Sequence, residues 1–250
     1  MTITYVIPDT HGCRPELREA LTKIDLSDPS THLVFLGDYV DRGPDSLGVL
    51  AAVKALADAH PDQVVALAGN HERWFLAWID ADDSDPTWLL ADTGLVTVRS
   101  FLPAEVVERA VAGLAGGVID VVNAILKREV LNRHGDLIAW LRERPLHYET
   151  PTHIYVHAGV DEGAGSMWKA MTTAEIFTEK YPPSLGAHTV GKIIVAGHTG
   201  VGPLHAREGR MRCWEPYVDE GHVYLDGRVE NTGVLNVMRY DATTRTTTFL

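Results

Sequence analysis

The sequence predicts an α/β fold built on a mostly parallel sheet, and three observations carry that expectation. The N-terminal third alternates apolar, β-branched runs with helical stripes in a βαβαβ order, a long helical stretch then interrupts the alternation, and strand-like runs resume towards the C-terminus. Alternation of this kind implies parallel strands joined by crossover helices.

The elements follow in chain order. Ile3-Thr4-Tyr5-Val6-Ile7 is short and β-branched, as a buried strand should be. From Pro15 to Leu26, Leu17, Leu21 and Ile24 recur at helical spacing. His32 to Leu36 is again strand-like, and Pro44 to Ala59 reads as a second helix with Pro at its start and Leu47, Leu50, Val53 and Leu56 as its apolar stripe. Gln63 to Ala68 is the third strand. Arg73 to Glu149 reads as helical, clearest at Ala104 to Leu114, Val118 to Asn132 and Asp136 to Arg144, and is expected to be an insertion over roughly residues 74–149 of the same domain. Strand signals return at His153 to Val156, Ile193 to Ala196, His222 to Leu225, Val234 to Arg239 and Thr246 to Leu250. The acidic segment Asp80 to Asp85 lacks the Gly and distal Glu of a calcium loop and is read as a solvated turn.

The 250 residues suit one domain, 1–250, with a substantial core. A hydrophobic fraction of 45% with 22% charged residues argues against disorder. The net charge of -12, without any Lys/Arg-rich run, argues against nucleic acid or a membrane surface as partner and suits divalent cations. Cys13 and Cys213 are too few for a disulfide framework, so free thiols in a reducing compartment are expected. No apolar run is long enough to span a bilayer, and Met1 to Pro8 lacks the features of a signal peptide, which makes the cytoplasm the expected location.

The chemistry gathers at strand ends. They read Pro8-Asp9-Thr10-His11-Gly12, Gly37-Asp38-Tyr39-Val40-Asp41-Arg42-Gly43, Gly69-Asn70-His71-Glu72, His157-Ala158-Gly159 and Gly197-His198-Thr199. In an open α/β sheet the loops at the carboxyl ends of the strands converge on the ligand crevice. Each motif alone has a plain structural reading: a turn, a helix start capped by Asn, a hydrogen-bonded core histidine. Together, at successive strand ends, they assemble neutral imidazoles and anionic oxygens, a donor set for borderline divalent metals such as manganese, iron or zinc.

The ordered set Asp-x-His-Gly, Gly-Asp-x-x-Asp-Arg-Gly, Gly-Asn-His-Glu, His-Ala-Gly and Gly-His-Thr, spanning residues 9 to 199, resembles the phosphoprotein phosphatase family of calcineurin-like metallophosphoesterases. The resemblance implies a four-layer α/β/β/α sandwich and two divalent metal ions, with manganese expected ahead of iron or zinc. It implies Asp9 and His11 on the first ion, Asp38 bridging both, and Asn70, His157 and His198 on the second. It implies Arg42 as a phosphate-binding arginine, His71 as general acid beside the substrate phosphate with Asn70, and Asp41 as the acidic partner of His71. Departures are Pro8, where the family usually has Gly, and the segment Ser166-Met167-Trp168-Lys169-Ala170, where relatives often carry a second phosphate-binding arginine. Lys169 is the candidate substitute.

The activity implied is direct hydrolysis of a phosphoester by a metal-bridging water. The substrate expected first is a phosphorylated protein or peptide, as for a bacterial-type serine/threonine phosphatase, or a small phosphomonoester. The alternative is a diadenosine tetraphosphate hydrolase; relatives of that kind commonly show Gly-Asn-His-Asp and an Ala at the Asp41 position, whereas this chain has Glu72 and Asp41. A non-catalytic metal-binding scaffold is the remote third. Outside the motifs, His205 and Arg207 are candidates for the site rim, and Cys13 is read as a small buried hydrophobe.

Overall fold

Strict alternation of side chains along each strand organises this molecule. The computed structural model describes residues 2–82, 85–91, 93–114 and 118–250. In β1 (Ile3–Ile7), Val6 and Ile7 are both fully buried yet belong to different hydrophobic clusters, one on each face of the sheet. β2 (Thr31–Phe35) repeats this: Leu33 and Phe35 join Ile7, while Val34 joins Val6. A sheet with two apolar faces must be covered on both, and it is.

The first sheet has the order β10-β9-β1-β2-β3, with β3 at Val64–Ala66, β9 at Met238–Asp241 and β10 at Thr246–Phe249. β1, β2 and β3 run parallel, from Ile3 opposite Thr31 to Phe35 opposite Ala66, while β9 and β10 are antiparallel additions. The second sheet has the order β4-β5-β6-β8-β7, formed by β4 (His147–Glu149), β5 (His153–Val156), β6 (Ile193–Ala196), β7 (Tyr217–Val218) and β8 (His222–Tyr224). Here β5, β6 and β8 are parallel.

The two sheets face one another through a middle core of Val6, Val34, Leu36 and Leu67 against Tyr155, Val195, Val223 and Leu225. The outer face of the first sheet packs on α2 (Ser46–Ala59), α3 (Asn70–Asp80) and the helical insertion; α1 (Arg14–Leu21) adds Leu17 and Ala20 to the same core. The insertion comprises α4 (Thr87–Leu90), α5 (Gly94–Phe101), α6 (Ala104–Leu114) and α7 (Ile119–Arg142). On the second sheet, Ile154, Val156, Ile194 and Ala196 pack against Trp168 of α8 (Trp168–Met171), Phe177 of α9 (Ala174–Glu179) and Val201 and Leu204 of α10 (Val201–Arg207). A short α11 (Val229–Thr232) precedes β9. The layering is α/β/β/α, as the resemblance implied.

Several boundaries differ from the sequence reading for identifiable reasons. The two helices expected at Val118 to Asn132 and Asp136 to Arg144 are the halves of α7, kinked at His134 (φ −132°), whose Nε2 lies 2.8 Å from the Phe101 carbonyl. The strand expected from Val234 begins only at Met238, because Asn236 leaves the ladder and its Nδ2 donates to Leu225 O and Trp214 O at 2.9 Å. Residues 147–149, read as the end of the helical stretch, form edge strand β4 against β5. In the acidic segment Asp80 pairs with Arg142 and Asp85 caps Thr87 N, while Asp83 and Ser84 lie outside the described residues. No helix among the described residues is long and apolar enough to cross a membrane.

One buried side chain ties the loop after β2 to the start of α3. Glu72, fully buried, accepts hydrogen bonds from the backbone N–H groups of Gly69 (2.9 Å), Asp38 (2.7 Å), Tyr39 (2.7 Å) and Val40 (3.2 Å). Glu72→Gln turns an amide N–H₂ towards some of those donors, and each unsatisfied buried donor costs about 1–3 kcal/mol. Chemical denaturation should therefore show a loss of about 2 kcal/mol or more. An unchanged unfolding midpoint would remove Glu72 from this role.

Candidate active site

Every strand-end motif meets at one end of the sandwich. Asp9 leaves β1 and accepts from His198 N at 3.0 and 3.1 Å, so a carboxylate from the first sheet clasps the loop after β6 in the second. Gly197 is required there, because a Cβ at that position would collide with the Asp9 carboxylate. His157, at the end of β5, reaches back to the first sheet with Nδ1 3.1 Å from Leu36 O. His11 anchors its Nδ1 on Val40 O at 2.8 Å. Each anchored ring presents Nε2 inward, the usual arrangement of a metal-ligating histidine.

Asp38 is the common point. Its Oδ2 lies 3.5 Å from His11 Nε2, 3.3 Å from His157 Nε2 and 3.9 Å from His71 Nε2. Asn70 Oδ1 is 2.9 Å from His157 Nε2 and 3.1 Å from His198 Nδ1, while Asp9 Oδ2 is 3.9 Å from His11 Nε2. Among the described residues, ligand atoms close enough to share an ion form two groups, His11/Asp38/His71 and Asp38/His157/His198, and Asp38 is in both. Positive φ angles concentrate here, at His11 (40°), Asp38 (56°), Asp41 (69°), Arg42 (65°) and His198 (57°). Side chains rarely adopt that conformation, and its clustering marks a site held by its surroundings.

The protein atoms alone leave these charges poorly balanced. Burial pushes the Asp9 carboxyl up to about 6 and the His11 and His198 imidazoles down to about 3 and about 4. Burial also opposes the charge on Asp38, yet the imidazoles of His157 and His71 hold its carboxyl well below the usual range. The Arg42 guanidinium lies 2.7 Å from His11 Nε2, so a positive group already faces that nitrogen. Buried carboxylate oxygens and imidazole nitrogens turned on a common centre fit divalent metal ions, which bind the imidazoles in their neutral form.

A second unit adjoins the ligands. His71 Nδ1 lies 2.7 Å from Asp41 Oδ2, and Thr97 of α5 donates to Asp41 Oδ1 at 2.5 Å. Burial alone would lower the pKa of His71, but the carboxylates of Asp38 and Asp41 outweigh it and raise it. Arg42 Nη2 is 3.2 Å from His71 Nε2, and Arg42 Nη1 pairs at 3.2 Å with the buried Glu230 of α11. In front lies a cleft of about 430 Å³ lined by Arg42, Asn70, His71, Trp74, Tyr181, His198, Arg207 and Arg228, among others.

The chain belongs to the calcineurin-like phosphoesterase family. The family model matches residues 4–202, and its members are metal-dependent phosphoester hydrolases. Among curated relatives, the symmetrical bis(5'-nucleosyl)-tetraphosphatase of Janthinobacterium sp. (strain Marseille) is 31% identical over 176 residues, covering 70% of this chain and 49% of that protein. The protein of the same name from Shewanella sp. (strain W3-18-1) is 30% identical over 158 residues, covering 62% of this chain and 44% of that one. The chain thus spans about half the length of these relatives. A solved structure, the cold-active protein-tyrosine phosphatase of a psychrophilic Shewanella, shares the fold, with a TM-score of 0.58 at 16% identity over 100% of this chain and 80% of that one.

The calcineurin-like site thus brings together Asp9, His11, Asp38, Asp41, Arg42, Asn70, His71, His157 and His198. It does not bring Lys169, which is 56% exposed and pairs with Glu149 at 3.0 Å away from the cleft lining. The cations beyond Arg42 are instead Arg207, anticipated on the rim, and Arg228. His205 is buried, with Nε2 2.9 Å from Glu215 O. Sequence reasoning missed Arg228, Glu230, Thr97, Trp74 and Tyr181. Arg228 had a signal, since Asp226-Gly227-Arg228 follows a strand just as the metal motifs do.

We propose Asp9, His11, Asp38, Asn70, His157 and His198 as the ligands of two divalent ions. Asp38→Asn should then lower metal content at both positions and His198→Ala chiefly at one, as read by elemental analysis of purified protein. Two ions retained per chain in Asp38→Asn would refute the bridge. A further expectation concerns proton donation. Since Asp41 helps to keep His71 protonated, Asp41→Asn should move the alkaline limb of the pH–rate profile on an alkyl phosphate to lower pH. An unmoved limb would separate Asp41 from that proton.

Proposed function

We propose that this chain hydrolyses dinucleoside polyphosphates, cleaving a phosphoanhydride bond of the phosphate chain. The observation that carries the reading is the composition of the cleft. Arg42, Arg207 and Arg228 line the same cleft as His71, and the exposed aromatic rings of Trp74 and Tyr181 (42% and 76% exposed) border that space. Guanidinium forks suit a chain of several phosphates, and aromatic faces suit the bases at its ends. The names carried by the curated relatives support the same substrate class.

Two divalent cations, with manganese the first to try, would polarise the phosphoryl oxygens and acidify a water at neutral pH. The protein's part is positioning and proton transfer. Arg42, steadied by Glu230, is placed to donate to phosphoryl oxygens from its exposed edge, and Arg228 and Arg207 to neutralise the remainder of the chain. Water adds to phosphorus as the P–O bridge breaks. His71 supplies a proton to the departing oxygen, with Asp41 orienting the ring.

A second reading rests on that same Asp41–His71 contact. A nucleotide leaves as a stable anion and needs little protonation, whereas the alkoxide of a phosphoserine or phosphothreonine needs a proton in the transition state. A buried, carboxylate-backed imidazole is what a phosphomonoesterase acting on alcohols requires. Turnover of diadenosine tetraphosphate and of a phosphoserine peptide, at equal concentration with manganese, separates the two. The dinucleotide should show kcat/KM at least about tenfold higher, the scale of one well-used binding contact. The opposite order would transfer the site to phosphomonoesters.

A further inference from the structure

The catalytic cleft does not end at Trp74. Along α3, Trp74, Ala77 and Trp78 recur at spacings of three and four residues and so form a single face of the helix, which the C-capping Ala81 extends. Across from them stand Asp85, Thr87, Trp88 and Ala91, and the two walls enclose a groove of about 450 Å³, within the range of small-molecule sites. Trp74 lines both this groove and the cleft, and its ring centroid is 4.8 Å from that of His71.

The walls are aromatic and fixed. Trp78 is almost fully buried; its Nε1 donates to Asn123 Oδ1 at 2.7 Å, and its ring stacks on Phe75 at 6.1 Å. Trp88 lies 4.9 Å from Trp78 and 5.2 Å from Phe75. The small side chains of Ala77, Ala81 and Ala91 line the groove beside this packed pair of indoles and leave space open next to it. Asp85 is the one charged residue in the described lining, and its Oδ1 already accepts from Thr87 N. The slot is therefore unsuited to phosphate and suited to an uncharged planar group. The Trp88 indole N–H is buried and has no hydrogen-bond partner among the described residues.

We infer that this tryptophan-lined groove is a nucleobase subsite: it takes one base of a nucleotide whose phosphates lie in the cleft on the other side of Trp74. The inference rests on the nucleotide reading of the cleft and deepens it. The arginines hold the phosphate chain, and the indole slot selects what the chain carries.

Calorimetric titration of the full chain with manganese, using adenosine 5'-monophosphate and ribose 5-phosphate, isolates the contribution of the base. The mononucleotide should bind at least about tenfold more tightly. Ala77→Leu, filling the slot from an exposed position of α3, should abolish that preference and raise KM for diadenosine tetraphosphate relative to para-nitrophenyl phosphate. Ala91→Leu does the same from the opposite wall and serves if the first variant misfolds. Equal affinities in the wild type, or a preference that survives both substitutions, overturn the subsite. Tighter binding of phosphotyrosine than of the mononucleotide, lost in the same variants, also overturns it, giving the slot to an aromatic side chain. If the wild type fails to cleave the dinucleotide while the base preference persists and disappears on filling the slot, the subsite stands and the proposed activity falls.

Discussion

A buried carboxylate accepting four backbone N–H groups holds this site in shape. Glu72 receives the amides of Gly69, Asp38, Tyr39 and Val40, so one side chain fixes both the start of α3 and the turn leaving β2. Charge-assisted hydrogen bonds of this kind are strong, and their loss would leave several donors unpaired in the interior. The consequence is positional. Asp38, Asp41 and Arg42 adopt positive φ in a turn that would otherwise relax, and Asn70 and His71 begin a helix whose first turn points at them.

The second constraint is the closeness of the two sheets. Asp9 from the first sheet accepts from His198 N in the second, and His157 of the second sheet reaches Leu36 O of the first. The ligand set is therefore divided between layers, and the middle core that joins them sets its dimensions. Like-charged and buried groups are crowded there. A cation relieves the crowding, which links metal binding to the stability of the junction itself.

Around that centre two features pull towards different substrates. The carboxylate-backed His71 is equipped for leaving groups that need a proton, whereas three arginines and a border of exposed aromatic rings are equipped for a polyanionic chain carrying flat groups. A cleft can serve both chemistries in turn, since proton donation and phosphate binding use different atoms. On the proposed reading, the aromatic groove beyond Trp74 receives one of those flat groups.

The alternation of strands and helices, the helical insertion and the nine polar residues that meet at the site are all legible along the chain. These are local properties: periodicity reports which faces are buried, and a glycine beside a carboxylate or imidazole at a strand end reports a turn that presents it. The departures are equally instructive. Its neighbours in sequence suggest Lys169 for the phosphate, but from α8 its side chain pairs instead with Glu149 of edge strand β4. The strand expected at Val234 begins only at Met238, where contacts of Asn236 with Leu225, just past β8, and with Trp214 end. It took the folded chain to show that Thr97, in the insertion, supports Asp41, that Glu230 steadies Arg42 across a separation of 188 residues, and that Arg228 rather than Lys169 lines the cleft. Each depends on which surfaces pack together, and packing between distant segments leaves no periodic trace along the chain.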